Sequence, residues 1–167
     1  LTVTHVRAFE QYQKQEAWTW EHQALLRSRS VAGSPALRED FERIRRDVLM
    51  NHVRRDSLRE DVRSMRERMR AELGRAGEGE FDLKQDPGGI ADIEFLSQYW
   101  VLRWAGDYPP LCMYSDTIRQ LESVGSAALV DHGRHILTAI HGAALQGGRG
   151  EVVLARKALG GRGGQAG

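Results

Sequence analysis

Val6-Arg-Ala-Phe-Glu-Gln-Tyr-Gln-Lys-Gln-Glu-Ala-Trp-Thr-Trp-Glu-His-Gln-Ala-Leu-Leu-Arg-Ser-Arg-Ser30 contains neither glycine nor proline, and Phe9, Tyr12, Ala17, Trp20, Ala24 and Leu25 recur in it mostly at three- and four-residue steps. That period belongs to a helix with one apolar face; a strand would alternate faces at every residue. The stretch therefore predicts one helix from Val6 to Ser30. It stops at Val31-Ala-Gly-Ser-Pro35, where Gly33 accepts a left-handed conformation and Pro35 cannot continue the hydrogen-bond ladder.

The same period returns downstream. A second helix begins near Leu37 with Phe41, Ile44, Val48 and Leu49 on one stripe, and the pattern falters between Asn51 and Arg55. Ser57 and Glu60 have the spacing of a capping box, and Leu58, Val62, Met65, Met69 and Leu73 follow at steps of three and four. The arginines Arg54, Arg55, Arg59, Arg63, Arg66, Arg68 and Arg70 alternate there with Asp56, Glu60, Asp61 and Glu67, which reads as a solvated face laced with pairs one turn apart. A glycine-bearing linker, Gly74 to Gly79, leads to Phe81-Asp-Leu-Lys84, the one short stretch with strand-like alternation, and then to a turn at Gln85-Asp-Pro-Gly-Gly89. Ile90, Ile93, Leu96, Trp100, Val101 and Trp104 predict a helix ending near Gly106 and Pro109-Pro110. Ser115 or Asp116 caps another through Ile118, Leu121 and Val124, and a last helix is expected from Ala127 to Leu145. The fold class that follows is all-α, a helical bundle with at most a short strand near residues 81–84.

Bulk properties narrow the function classes. A chain of 167 residues buries roughly 70% of the surface its unfolded form exposes, enough for one real core. Lys plus Arg number 24 against 23 Asp plus Glu, so no global basic excess points to nucleic acid. No apolar run of membrane-spanning length and no secretory signal occurs, and the single Cys112 cannot form an internal disulfide, which makes a cytoplasmic location the simplest expectation. Leu1 opens directly into a patterned segment without an initiator Met, as expected of an excised fragment. Residues 1–146 read as the helical domain. Residues 147–167 are glycine-rich and read as a flexible tail, since they hold too little apolar surface to offset the entropy of ordering them.

Three stretches together resemble bacterial glutamine synthetase adenylyltransferase, in the helical region that follows its second nucleotidyltransferase domain. They are Phe9 to Arg29, Val62-Arg-Ser-Met-Arg-Glu-Arg-Met-Arg70, and Phe81-Asp-Leu-Lys-Gln-Asp-Pro-Gly-Gly-Ile-Ala-Asp-Ile-Glu-Phe-Leu-Ser-Gln98, with a weaker fourth at Tyr114-Ser-Asp-Thr-Ile-Arg-Gln-Leu-Glu122. The Trp-Thr-Trp-Glu-His-Gln segment is similar to the C-terminal, adenylylating half of such enzymes. The resemblance implies a parent enzyme that transfers AMP from ATP to a tyrosine of glutamine synthetase, uses Mg²⁺, responds to PII signalling protein and glutamine, and so regulates nitrogen assimilation. Nucleotidyl transfer needs carboxylates that hold Mg²⁺ ions to activate the attacking hydroxyl and neutralise phosphate charge. In this family they sit in a Gly-Ser…Asp-x-Asp motif with a further Asp ahead of Arg-Leu-Arg-Pro, none of which occurs here. The resemblance thus implies that the nucleotidyltransferase domain precedes Leu1, that no catalytic or metal-binding residue lies in this chain, and that the chain alone is inactive and needs neither ATP nor metal. Two other readings stay open: a free-standing helical interaction module, and the helical region of a PII uridylyltransferase. The C-terminus departs from the family where the glycine-rich stretch stands in place of a closing helix.

Seven residues are candidates for a nucleotide site or an interdomain contact. Lys84, Gly88, Gly89, Asp92 and Glu94 surround the turn before a helix, whose exposed N–H groups and dipole suit phosphate. The architectural alternative is a tight turn with Asp92 and Glu94 in the first helical turn. An Asp92/Glu94 metal pair is disfavoured because residues two apart lie about 200° apart around a helix, and the negative charge of Asp86, where some members of the family have glycine, weakens the phosphate reading. Arg27 and Arg29 are the remaining two, within reach of nucleotide phosphates if a catalytic domain packs against their helix, while Trp20, Ala24 and Leu25 are expected in the core. His132, His135 and His141 lack zinc-site spacing, and Cys112 lacks a partner base and is expected to be a small buried residue.

Overall fold

The computed structural model describes residues 3–74 and 82–129. Among them are six α-helices: α1 (Val6–Gln15), α2 (Thr19–Arg27), α3 (Pro35–Asp47), α4 (Leu58–Leu73), α5 (Ile90–Trp104) and α6 (Thr117–Ser126). A π-helical turn, Val48–His52, extends α3, and a 3₁₀ turn, Pro109–Met113, joins α5 to α6. No strand occurs among the described residues. Asp82 to Lys84 lie in irregular chain and a turn, Phe81 is outside the described set, and so are His132, His135, His141, the glycine-rich tail and nearly all of the helix expected over 127–145. Where that last helix should have begun, Ala128 instead has φ 52°.

The stretch that signals the fold forms two helices instead of one. The backbone N–H groups of Glu16 and Ala17 both donate to Tyr12 O, at 2.9 and 3.0 Å, which closes α1. Trp18 then opens α2, its N–H donating to the Glu21 carboxylate at 2.8 Å, and the same carboxylate accepts the Tyr12 hydroxyl at 2.6 Å. No glycine or proline marks this corner. It exists because folding back lets Ala17 bury its small side chain and brings His22 Nε2 to 3.0 Å from Gln13 O.

One cluster of buried side chains holds these elements together. Leu26, Ile44, Val48, Leu49, Leu58, Val101 and Leu102 have no exposed surface, and Val124 adds α6 to them. The stripes read from α3, α4 and α6 bring Ile44, Val48, Leu49, Leu58, Val62 and Val124 to this core, and Leu25, Leu26, Val101, Leu102, Leu111 and Cys112 join them from α2, α5 and the 3₁₀ turn. Phe9 and Phe41, 6.1 Å apart, stack α1 on α3 at its edge. Stripe ends escape: Leu73, Ile90 and Ile118 are exposed at 43, 47 and 50%.

Two local expectations are corrected. Ser57 does not form a capping box, because its hydroxyl donates to the Asp61 carboxylate at 2.8 Å. The other Asp61 contact, from the Thr19 hydroxyl, pins α2 to α4. The arginine-rich segment is not uniformly solvated either. Arg63 and Glu67 pair at 2.9 Å on the surface as expected, yet Arg55 Nη2 donates to Met50 O at 2.7 Å in the π turn, and Arg66 is buried. Gly106 is fitted to that arrangement, since a Cβ there would meet Arg55 Nη2 at 2.9 Å and Met50 O at 3.0 Å. Of the two possible caps for α6, Asp116 is the one used, accepting the Arg119 N–H at 3.0 Å.

His22 carries a pH dependence. It is 1% exposed, its Nε2–H donates to Gln13 O, and Nδ1 has no partner. Burial lowers its pKa, with the Gln13 carbonyl opposing and Arg54 adding to the shift. The unfolded chain binds a proton below about pH 6.5 that the folded chain refuses, so stability falls as pH falls from there towards the folded pKa. Urea unfolding from pH 7 to 5 is expected to fall more steeply for the parent than for His22→Gln, by at most about 1.4 kcal/mol per pH unit. Parallel curves would refute it.

Candidate interdomain face and the turn that holds it

The Gly88-Gly89 turn is built by hydrogen bonds that the sequence specifies closely. The Asp82 carboxylate accepts the N–H groups of Lys84 and Gln85 at 2.8 and 3.0 Å, and the Asp86 carboxylate accepts the Asp82 N–H at 2.8 Å. Gly88 has φ +86°, a region that side chains resist. Its N–H donates to Asp92 Oδ2 at 2.7 Å. The following amides are engaged as well: Gly89 to Asp86 O at 2.8 Å, Ile90 to Leu83 O at 2.9 Å, and Ala91 to Lys84 O at 3.1 Å. The N–H groups at the start of α5, which would have faced a phosphate, all point at acceptors of this chain.

Gly89 is a glycine for a different reason. Its φ is −73°, ordinary for any residue, but a Cβ would stand 2.6 Å from Leu83 O and 2.9 Å from Asp86 O. Those carbonyls are the ones capping α5. Gly89→Ala is expected to push the turn off the helix and to destabilise the chain by about 1–3 kcal/mol, the usual penalty for overpacking, read by urea unfolding. A change below ~0.5 kcal/mol would mean the turn moves freely.

Asp92 is the hub of the site. Its carboxylate accepts Arg66 Nε at 2.7 Å, Arg70 Nη2 at 2.9 Å and the Gly88 N–H. Arg66 continues into the turn, donating to Gln85 O at 2.8 Å and Gln85 Oε1 at 3.3 Å. Arg66 and Asp92 are 7 and 9% exposed. Two arginines of α4 thus grip the start of α5 and the turn before it. Neither was singled out in the sequence, and Gln85 was not either. A partial signal existed: on a helical projection of α4, Arg66 lies about 20° beyond Leu73, at the edge of the apolar arc of Leu58, Val62, Met69 and Leu73.

Glu94 faces the other way. It pairs with Arg27 of α2 at 3.2 Å, and one turn along each helix Gln23 Nε2 donates to Gln98 Oε1 at 2.9 Å. The two contacts run α2 antiparallel to α5. Asp92 and Glu94 are therefore claimed by arginines of different helices on different faces, and they do not fit a shared Mg²⁺. The structure brings Gly88, Gly89 and Asp92 together in the turn and Arg27 and Glu94 together beside it. The side chains of Lys84 and Arg29 are exposed.

Trp20 and Ala24 do not enter the core. Both are exposed, Trp20 by 50%, on the same stripe of α2 as Arg27, while Thr19, His22, Gln23, Leu25 and Leu26 turn inward. Leu25 is buried as expected. Cys112 is buried too, its thiol pushed up to about 11 by that burial, which suits a structural residue and not a nucleophile. No helix among the described residues is long and apolar enough to cross a membrane.

The model of the family described as glutamate-ammonia ligase adenylyltransferase matches residues 1–44. Three curated proteins, each named bifunctional glutamine synthetase adenylyltransferase/adenylyl-removing enzyme, are similar over most of the chain. The protein of Hahella chejuensis is 52% identical over 134 residues, 77% of this chain and 14% of the relative. That of Thioalkalivibrio sulfidiphilus is 55% identical over 122 residues, 73% and 13% respectively, and that of Idiomarina loihiensis 54% over 121 residues, 72% and 13%. The matched part of this chain is thus about an eighth of those relatives' length.

Proposed function

Since the chain belongs to the glutamine synthetase adenylyltransferase family, we propose that it is a helical portion of a longer enzyme that transfers AMP from ATP to a tyrosine of glutamine synthetase. The observation that carries this reading is identity of 52–55% across more than 70% of the chain. The carboxylates that would hold Mg²⁺ and ATP are assigned to the part of the longer protein outside these residues, because Asp92 and Glu94 are committed to arginines. The work of this portion is to support: a body welded by the Asp92 hub, presenting a rigid face to a nucleotidyltransferase domain. PII signalling protein and glutamine are proposed to act on the longer protein, in the cytoplasm, through surfaces not assigned to residues here.

The test is AMP transfer. The full-length protein that contains this chain, incubated with glutamine synthetase, ATP and Mg²⁺, is expected to attach labelled AMP to a glutamine synthetase tyrosine, and residues 1–167 alone are expected to attach none. Absence of transfer by the full-length protein would overturn the assignment, and transfer by the short chain would overturn the supporting role.

A further inference from the structure

We propose that the exposed strip formed by Trp20, Ala24 and Arg27 of α2 with Glu94, Ile90 and Leu83 is the seat on which polypeptide outside these 167 residues docks, an inference that rests on the chain being part of a longer enzyme. α2 departs from the usual amphipathic pattern. An amphipathic helix on the surface turns its large apolar side chains inward and its polar ones to water. α2 buries Leu25 and Leu26 in that way, yet it also turns His22 and Gln23 inward, 1 and 5% exposed, and holds Trp20 out, 50% exposed. The inward polar groups find partners, Gln23 in Gln98 and His22 in Gln13 O, so the arrangement is built in and not a misfit. A tryptophan held outward against this gradient is what an interface anchor requires.

The strip is continuous from α2 through α5 to the turn. Arg27 joins Glu94 across the two helices at 3.2 Å, Ile90 lies one turn before Glu94 on α5, and the Ile90 N–H meets Leu83 O at 2.9 Å. Leu83 and Ile90 are 58 and 47% exposed, so the strip has an apolar anchor at each end with a neutralised ion pair between them. The turn that carries Leu83 cannot collapse onto the body, because Gly89 and the Asp92 hub fix it.

The matched segment is 13–14% of the length of its relatives, so most of the polypeptide of such a protein lies outside it. The strip accordingly fits an apolar protein surface presented by the same polypeptide.

The experiment places a photo-crosslinking amino acid, one at a time, at Trp20, Ile90 and Ile118 in the full-length protein. Ile118 is the comparator, 50% exposed on α6, a helix that contributes no residue to the strip. All three side chains are at least half-exposed or nearly so, and the core stays untouched. Severalfold higher yields at 20 and 90 than at 118, joining peptides of the same polypeptide outside residues 1–167, are expected. Crosslinks to a second copy, crosslinks to residues 130–167, or yields at 20 and 90 no higher than at 118 would each overturn the seat. AMP transfer is measured on the same preparations. Transfer with comparator-level crosslinking sinks the seat alone, and expected crosslinking without transfer sinks the enzyme assignment alone.

Discussion

Asp92→Ala is expected to destabilise the chain by about 3–5 kcal/mol, the range for removing one partner of a buried ion pair. The reason lies in what remains. Arg66 is 7% exposed and would keep its charge with only Gln85 to bond, while the Gly88 N–H, held at φ +86°, would lose its acceptor. Arg70 is 34% exposed and can turn to water, so it adds little to the penalty. Asp92→Asn should recover part of the loss: its amide oxygen can still accept from Arg66, whereas its NH₂ faces donors. Urea unfolding of the three proteins gives the order parent, Asn, Ala. A loss below about 1 kcal/mol for Ala would mean that the hub contributes geometry without net stability, as some buried ion pairs do.

Arg45→Lys is expected to be nearly as damaging as Arg45→Ala, each lowering stability by about 2–4 kcal/mol. Arg45 is 3% exposed, and its guanidinium donates to Leu25 O at 3.1 Å, Leu26 O at 2.6 Å and Cys112 O at 2.8 Å. It therefore closes the C-terminal end of α2 and ties it to the 3₁₀ turn. Burial lowers its pKa, with Glu42 at 3.5 Å opposing the shift, so the buried charge itself is unfavourable. What stabilises is the fork, three donors aimed at three buried carbonyls, each costing about 1–3 kcal/mol if left unpaired. A lysine keeps the charge and loses the fork. If Lys restored most of the stability lost in Ala, charge and not geometry would be the cause.

Parts of the candidate site were legible in advance and parts were not. The Gly88-Gly89 turn and the helix behind it are visible in composition, and the 200° separation of Asp92 and Glu94 correctly sent them to different faces. Their partners were invisible. Arg66 and Arg70 looked like solvent-facing arginines because a run of alternating charge gives the same pattern whether or not two members meet a buried carboxylate. Gln85 carried no mark at all.

Helix positions, the breaks at Gly33-Ser-Pro35 and Pro109-Pro110, the core stripes of α3 and α6 and the family likeness all follow from the chain itself, because apolar period and turn chemistry are properties of neighbouring residues. The corner at Glu16 to Trp18, the outward turn of Trp20 and the inward turn of His22, Gln23, Arg45 and Arg66 belong to the tertiary structure. Each inward turn depends on a partner supplied by another element or beyond the corner: Gln98 lies 75 residues from Gln23, and Cys112 lies 67 from Arg45. A polar side chain in a helix reads as surface until that partner is in place, and only the folded packing puts it there.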